Sequence, residues 1–134
     1  MTPKSKARAK RANAGTSKGA VAKEYFKDGT LRGAGRMQGG KRTGPWKFYH
    51  HSGIPWATGA FDRGACTGLW KWFADNGVVR QVGRFEDGKQ VGLWKRYHGG
   101  TGKLYDVGSY IDGKKTGVWK VYDKKGKLAR TQKF

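Results

Sequence analysis

Acidic residues are scarce in this chain: nine Asp and Glu stand against 29 Lys and Arg, leaving a formal net charge of +20. An excess of that size disfavours basic or cationic partners and favours polyanions: nucleic acid, an anionic membrane or an acidic protein. Cysteine is nearly absent. The single Cys66 excludes an internal disulfide, and the three histidines form no cluster with it at metal-ligand spacing. Long apolar runs are missing too. None approaches the roughly 18 residues of a spanning helix, and the N-terminus lacks the apolar core of a secretory signal. The simplest expectation from these absences is a reducing, cytoplasmic setting.

Residues 1–21 are read as a basic arm. Its first 20 residues carry Lys4, Lys6, Arg8, Lys10, Arg11 and Lys18, no acid, and no large apolar side chain except Met1. Such a stretch buries too little surface to offset its ordering entropy. It is expected to be mobile in isolation and to order against phosphates, the plainer alternatives being a solubilising tail or a transit peptide.

What is abundant is glycine, 23 residues, together with six tryptophans. Their placement is periodic. Gly44-Pro45-Trp46-Lys47-Phe48-Tyr49 returns as Gly68-Leu69-Trp70-Lys71-Trp72-Phe73, as Gly92-Leu93-Trp94-Lys95-Arg96-Tyr97 and as Gly117-Val118-Trp119-Lys120-Val121-Tyr122. The tryptophans Trp46, Trp70, Trp94 and Trp119 step by 24, 24 and 25 residues, which marks a repeat architecture. A degenerate first copy puts Ala22 and Tyr25 where later copies have the tryptophan and the following aromatic.

Each copy reads as a β-hairpin. The tryptophan strand is followed by a turn ending at Gly29, Gly53, Gly77, Gly102 or Gly126, twice as Asp28-Gly29 or Asn76-Gly77. A second strand then carries Leu31, Pro55, Val79, Leu104 or Leu128 two residues past the turn glycine. Gly35, Gly59, Gly83 and Gly108 come six past it, and Met37, Phe61, Phe85, Tyr110 and Phe134 eight past it. Even offsets predict one shared face for all three ladders, with Arg32, Arg36, Arg80, Arg84 and Lys133 on the other. The glycine between two bulky positions leaves room for a ring, assigned to a tryptophan from a neighbouring strand. A second turn, Gln38-Gly39-Gly40, Asp62-Arg63-Gly64, Glu86-Asp87-Gly88 or Ile111-Asp112-Gly113, joins the copies. Residues 22–134 are therefore expected to form one all-β domain, an elongated antiparallel meander of about five copies. Gln132, in place of the fifth glycine, suits a terminal cap.

This unit resembles the MORN repeat, and specifically the bacterial variant of YwqK-family antitoxins. The resemblance spans residues 22–134 and implies hairpins stacked into a twisted ribbon. It also implies a non-catalytic scaffold or binding module, with no catalytic residue and no cofactor.

The charge pattern supplies the candidate site. Lys47, Lys71, Lys95 and Lys120 each follow a tryptophan and so face away from it, while Tyr49, Phe73, Tyr97 and Tyr122 return to the lysine side. With Arg36, Arg84 and the six basic residues of the arm, they form a candidate polyanion surface on which lysines track phosphates and rings stack on bases. The plainer reading is that the lysine stems merely cover aromatic neighbours. The repeat body keeps a charge of +14, with 23 basic residues against 9 acidic, so the signal does not depend on the arm. An enzyme is not expected. His50, His51 and His98 lie in loops, most acids lie in turns, and Cys66 has no histidine partner in its own unit. The leading expectation is binding of nucleic acid or a ribonucleoprotein. An antitoxin or immunity role against an acidic protein and a scaffold on anionic membrane are the alternatives. Open sheet edges also permit oligomers.

Overall fold

The computed structural model describes residues 19–134; the arm residues Lys4 to Lys18 fall outside them. Ten strands follow in chain order: β1 (Ala20–Tyr25), β2 (Leu31–Gln38), β3 (Lys41–Tyr49), β4 (Pro55–Asp62) and β5 (Ala65–Phe73), then β6 (Val79–Glu86), β7 (Lys89–Tyr97), β8 (Leu104–Ile111), β9 (Lys114–Tyr122) and β10 (Leu128–Lys133). Every strand pairs antiparallel with its sequence neighbour, so they make one open meander, and no helix is present among the described residues. The first strand begins two residues before the expected repeat boundary. Phe134 lies just past β10, yet its amide still donates to the Gly117 carbonyl oxygen at 2.9 Å.

Two turn chemistries alternate along the chain. The joints between units are two-residue turns in which both residues have positive φ, as at Asp87 (49°) and Gly88 (79°), the combination a type I′ turn needs. Within a unit the loop has three residues, except in the fourth, where Gly99 to Gly102 make four. The Gly29 amide donates to Phe26 O and the Phe26 amide to Thr30 O, and only the glycine enters the left-handed region. The aspartate of Asp28-Gly29 instead caps the loop, its carboxylate accepting from the Thr30 amide at 3.0 Å and the Thr30 hydroxyl at 2.7 Å.

The three-residue loop changes which side chains share a face. Glu24 pairs with Gly33 but Tyr25 with Leu31, so Arg32 is an extra residue in β2. The same register shift makes Trp56, Arg80, Tyr105 and Ala129 extra in their strands. An odd residue of this kind reverses the alternation beyond it. Leu31, Val79 and Leu104 therefore leave the glycine–aromatic face on which even spacing placed them. Arg32 crosses to that face, where it reaches Glu24 at 3.5 Å. Arg36 and Arg84 lie beyond the bulge and stay on the opposite side, as expected.

The core is a single layer of rings lying on one side of the sheet. Each tryptophan lies over the glycine of the preceding strand: Trp46 on Gly35, Trp70 on Gly59, Trp94 on Gly83 and Trp119 on Gly108. A Cβ at any of these glycines would overlap the indole. The indole Nε1–H donates to the next carbonyl along that strand, that of Arg36, Ala60, Arg84 or Ser109, at 2.9–3.2 Å. A glycine two residues before each tryptophan, such as Gly92 with φ 69°, sits in a second bulge, between β6 and β7 in that unit.

Rings from the second strands fill the gaps between indoles. Phe61 meets Trp46 and Trp70 edge-on, Phe85 meets Trp70 and Trp94, Tyr110 meets Trp94 and Trp119, and Phe134 closes on Trp119. Phe48 and Trp72 stack between successive tryptophans at 5.6–6.4 Å between centroids. All the buried apolar side chains, namely the four tryptophans, Ala57 and Val121, belong to this face. Alternating geometry leaves the other face with none.

Candidate functional site

Pairing fixes the lysine face residue by residue. One cross-strand row runs Lys23, Ala34, Lys47, Thr58, Lys71, Val82, Lys95, Val107, Lys120 and Thr131, each the partner of the next. Five lysines thus occupy alternate strands of a single row. With neighbouring strands about 4.8 Å apart, they stand about 10 Å from one another, over about 40 Å. Lys23, Lys47, Lys71 and Lys120 are exposed and Lys95 half-buried.

A neighbouring row on the same face holds Arg36, Ala60, Arg84, Ser109 and Lys133 on the second strands, with Val21, Pro45, Leu69, Leu93 and Val118 as partners on the first strands. Its aliphatic members are unusually bare, Leu93 at 56 % and Val118 at 54 % exposure. No acidic residue stands in either row. Tyr49, Phe73, Tyr97 and Tyr122 lie two residues beyond their lysines on the same side and are half-buried. Lys71, Val79 and Tyr97 line one shallow depression there.

The structure therefore gathers Lys47, Lys71, Lys95, Lys120, Arg36, Arg84 and the four rings onto one face. Sequence reasoning missed Lys23, although its signal was readable: it follows Ala22, which holds the tryptophan position of the first copy. Lys133 completes the arginine row at the other end.

The opposite face is locally neutralised. Glu24 accepts from Arg42 Nε at 3.1 Å and from its Nη2 at 2.8–2.9 Å, and these bonds hold its carboxyl below its ordinary value against the opposing effect of burial. Arg42 also lies over Trp46, Phe48 and Phe61, 5.2–5.5 Å from their centroids. Farther along, Arg96 makes a two-pronged pair with Asp106, whose exposure is only 3 %. Spacing alone gave no sign of this pair, because Arg96 takes the repeat position of Phe48 and Trp72.

His50 and His98 lie in loops, as expected, and there they tie neighbouring units together, whereas His51 is exposed. His50 Nε2 lies 3.0 Å from the Phe73 carbonyl oxygen and Nδ1 lies 2.8 Å from Asp75, while His98 Nε2 lies 3.1 Å from the Tyr122 carbonyl oxygen. Cys66 is half-buried, and that burial pushes its thiol up, away from a reactive thiolate. Among the described residues no group of three His, Cys, Asp or Glu could hold a metal ion, and no helix is long and apolar enough to cross a membrane.

A one-layer ribbon of hairpins, indoles on one face and lysines on the other, defines a β-hairpin repeat protein. Residues 67–87 and 115–134 match the family model described as a MORN repeat variant, and the second and fourth units share the same strand register and contribute Trp46 and Trp94 to the same glycine–indole packing. Those two matched stretches are MORN-type repeats. Repeats of this family are generally non-catalytic binding or scaffold modules. No curated protein matches the chain. Among solved structures it is similar to a chain in the crystal structure of a GtfA/B complex bound to UDP and GlcNAc. That match has 16 % identity and a TM-score of 0.38, over 89 % of this chain but only 28 % of the other.

Proposed function

We propose that this protein is a non-catalytic binding module that engages a polyanion, nucleic acid foremost, through its lysine face. The observation that carries the reading is the row of Lys23, Lys47, Lys71, Lys95 and Lys120 beside Arg36, Arg84 and Lys133, with no acid in either row. Like charges held in a row repel one another, and a chain of phosphates relieves that repulsion while releasing its own counterions. Tyr49, Phe73, Tyr97 and Tyr122 offer ring faces beside the cations for unpaired bases.

Titration of a labelled single-stranded oligonucleotide at several salt concentrations tests this. Affinity is expected to fall linearly on a log–log plot. Changing Lys47, Lys71 and Lys95 together to Gln is expected to weaken binding and to flatten the slope by about 0.7 per contact removed. Binding indifferent to salt, or to these three changes, would overturn the reading.

A second reading draws on the bare aliphatic row. Leu69, Leu93 and Val118 beside lysines also suit a bilayer rich in acidic lipids. Sedimentation with anionic and neutral vesicles separates the two: capture by the anionic vesicles, without oligonucleotide binding, would favour the membrane.

A further inference from the structure

The indole face carries a feature that repetition does not explain. At the junction of the first two units, a depression of about 500 Å³ is walled by Phe26, Phe48, His51 and Trp56, with Arg32 also in its lining. Three of the rings in its lining are departures from the repeat. Phe26 occupies the place held elsewhere by His50, Ala74, His98 and Asp123. His51 replaces Lys27, Asp75, Gly99 and Lys124, and Trp56 replaces Arg32, Arg80, Tyr105 and Ala129. None is needed for the indole–glycine packing, which the other units achieve without them. Their convergence on one depression is the sign of a site.

The ring geometry suits a flat guest. Phe26 and His51 lie against each other at 3.8 Å between centroids, tilted by 38°, and Trp56 stands edge-on to Phe48 at 6.2 Å while remaining 45 % exposed. Exposed indole of that extent, beside other rings, offers a stacking surface. The two arginines of the lining differ in what they have left to give. Arg42 is spent on Glu24 and on the rings beneath it. Arg32 touches Glu24 through a single nitrogen at 3.5 Å, and its side chain is 52 % exposed, so most of its donors remain free. A guanidinium with free donors matches the oxygens of a phosphate.

We infer that this depression binds a nucleotide, its base stacked on Trp56 and the Phe26–His51 pair and its phosphate held by Arg32. The site lies on the opposite side of the sheet from the lysine row, so it stands or falls independently of the polyanion reading.

The experiment is calorimetric titration of the full chain with AMP, adenosine and ribose 5-phosphate, with indole fluorescence recorded in parallel. AMP is expected to bind and to quench fluorescence, and each half-molecule to bind at least about tenfold more weakly. Trp56→Ala and Arg32→Ala each install the residue that the fifth unit carries there as Ala129, so the ribbon is expected to keep its fold, checked by circular dichroism. Each is expected to weaken AMP by about tenfold or more, while Lys124→Gln leaves it unchanged. AMP binding no tighter than adenosine and ribose 5-phosphate, or binding to folded Trp56→Ala at native strength, overturns the inference. A trinucleotide that binds more tightly than AMP, and loses that advantage in Trp56→Ala, would identify the natural guest as part of a strand, and equal affinity would identify it as the free nucleotide.

Discussion

Trp94 lies face-on against Gly83, and its Nε1–H donates to the Arg84 carbonyl oxygen at 3.2 Å. The contact leaves no space for even one methyl group. Trp72 and Phe85 hold the indole from other directions, at 5.8 and 5.2 Å between centroids, so it cannot step aside without disturbing its neighbours.

Gly83→Ala is therefore expected to cost about 3 kcal/mol in urea denaturation and to shift indole fluorescence to the red as the ring is lifted. Gln132 holds the same repeat position, but no further strand lays an indole on it. Gln132→Ala is expected to change stability by less than about 0.5 kcal/mol. Equal effects at the two positions would contradict the packing described.

Arg96 and Asp106 face each other where the second unit has Phe48 opposite Ala57. Arg96→Phe alone strands a carboxylate of 3 % exposure and is expected to cost about 3–5 kcal/mol. Adding Asp106→Ala rebuilds the pair of the second unit and is expected to restore the native stability or exceed it. A double-mutant cycle by denaturant unfolding measures the coupling.

Glu24 makes the first hairpin sensitive to acid. Its carboxyl is held below its ordinary value in the folded chain, mainly by the hydrogen bond from Arg42, so the unfolded chain takes up the proton first. The stabilisation is fully present above the unfolded pKa and disappears as pH falls through the folded one. Glu24→Gln is expected to be less stable at neutral pH and to lose less on acidification from about pH 6 to about pH 3. Denaturation of both chains across that range checks it.

Most of this architecture was legible in the residues. The spacing of Trp46, Trp70, Trp94 and Trp119 gives the unit length, and Gly35, Gly59, Gly83 and Gly108 announce where indoles approach. Alternation was trusted too far at one place. The loops within units insert Arg32, Trp56, Arg80 and Tyr105 as odd residues, and a parity count cannot see a bulge. That is why Arg32 was assigned to the wrong face and why Trp56 did not register as a neighbour of Phe48. The Arg96–Asp106 pair was hidden for a different reason: it arises where the copies differ, and period-matching attends to where they agree. Lys23 was masked by the missing indole of the first copy.

Because every strand pairs only with the one before and after it in the chain, no pairing has to wait for distant segments to meet. Sheets are ordinarily slow to assemble because remote stretches must find each other against chain entropy, and that delay is absent here. The ribbon can start from any hairpin and zip outward in both directions, so an all-β protein of this kind is expected to fold with the haste of a helical one.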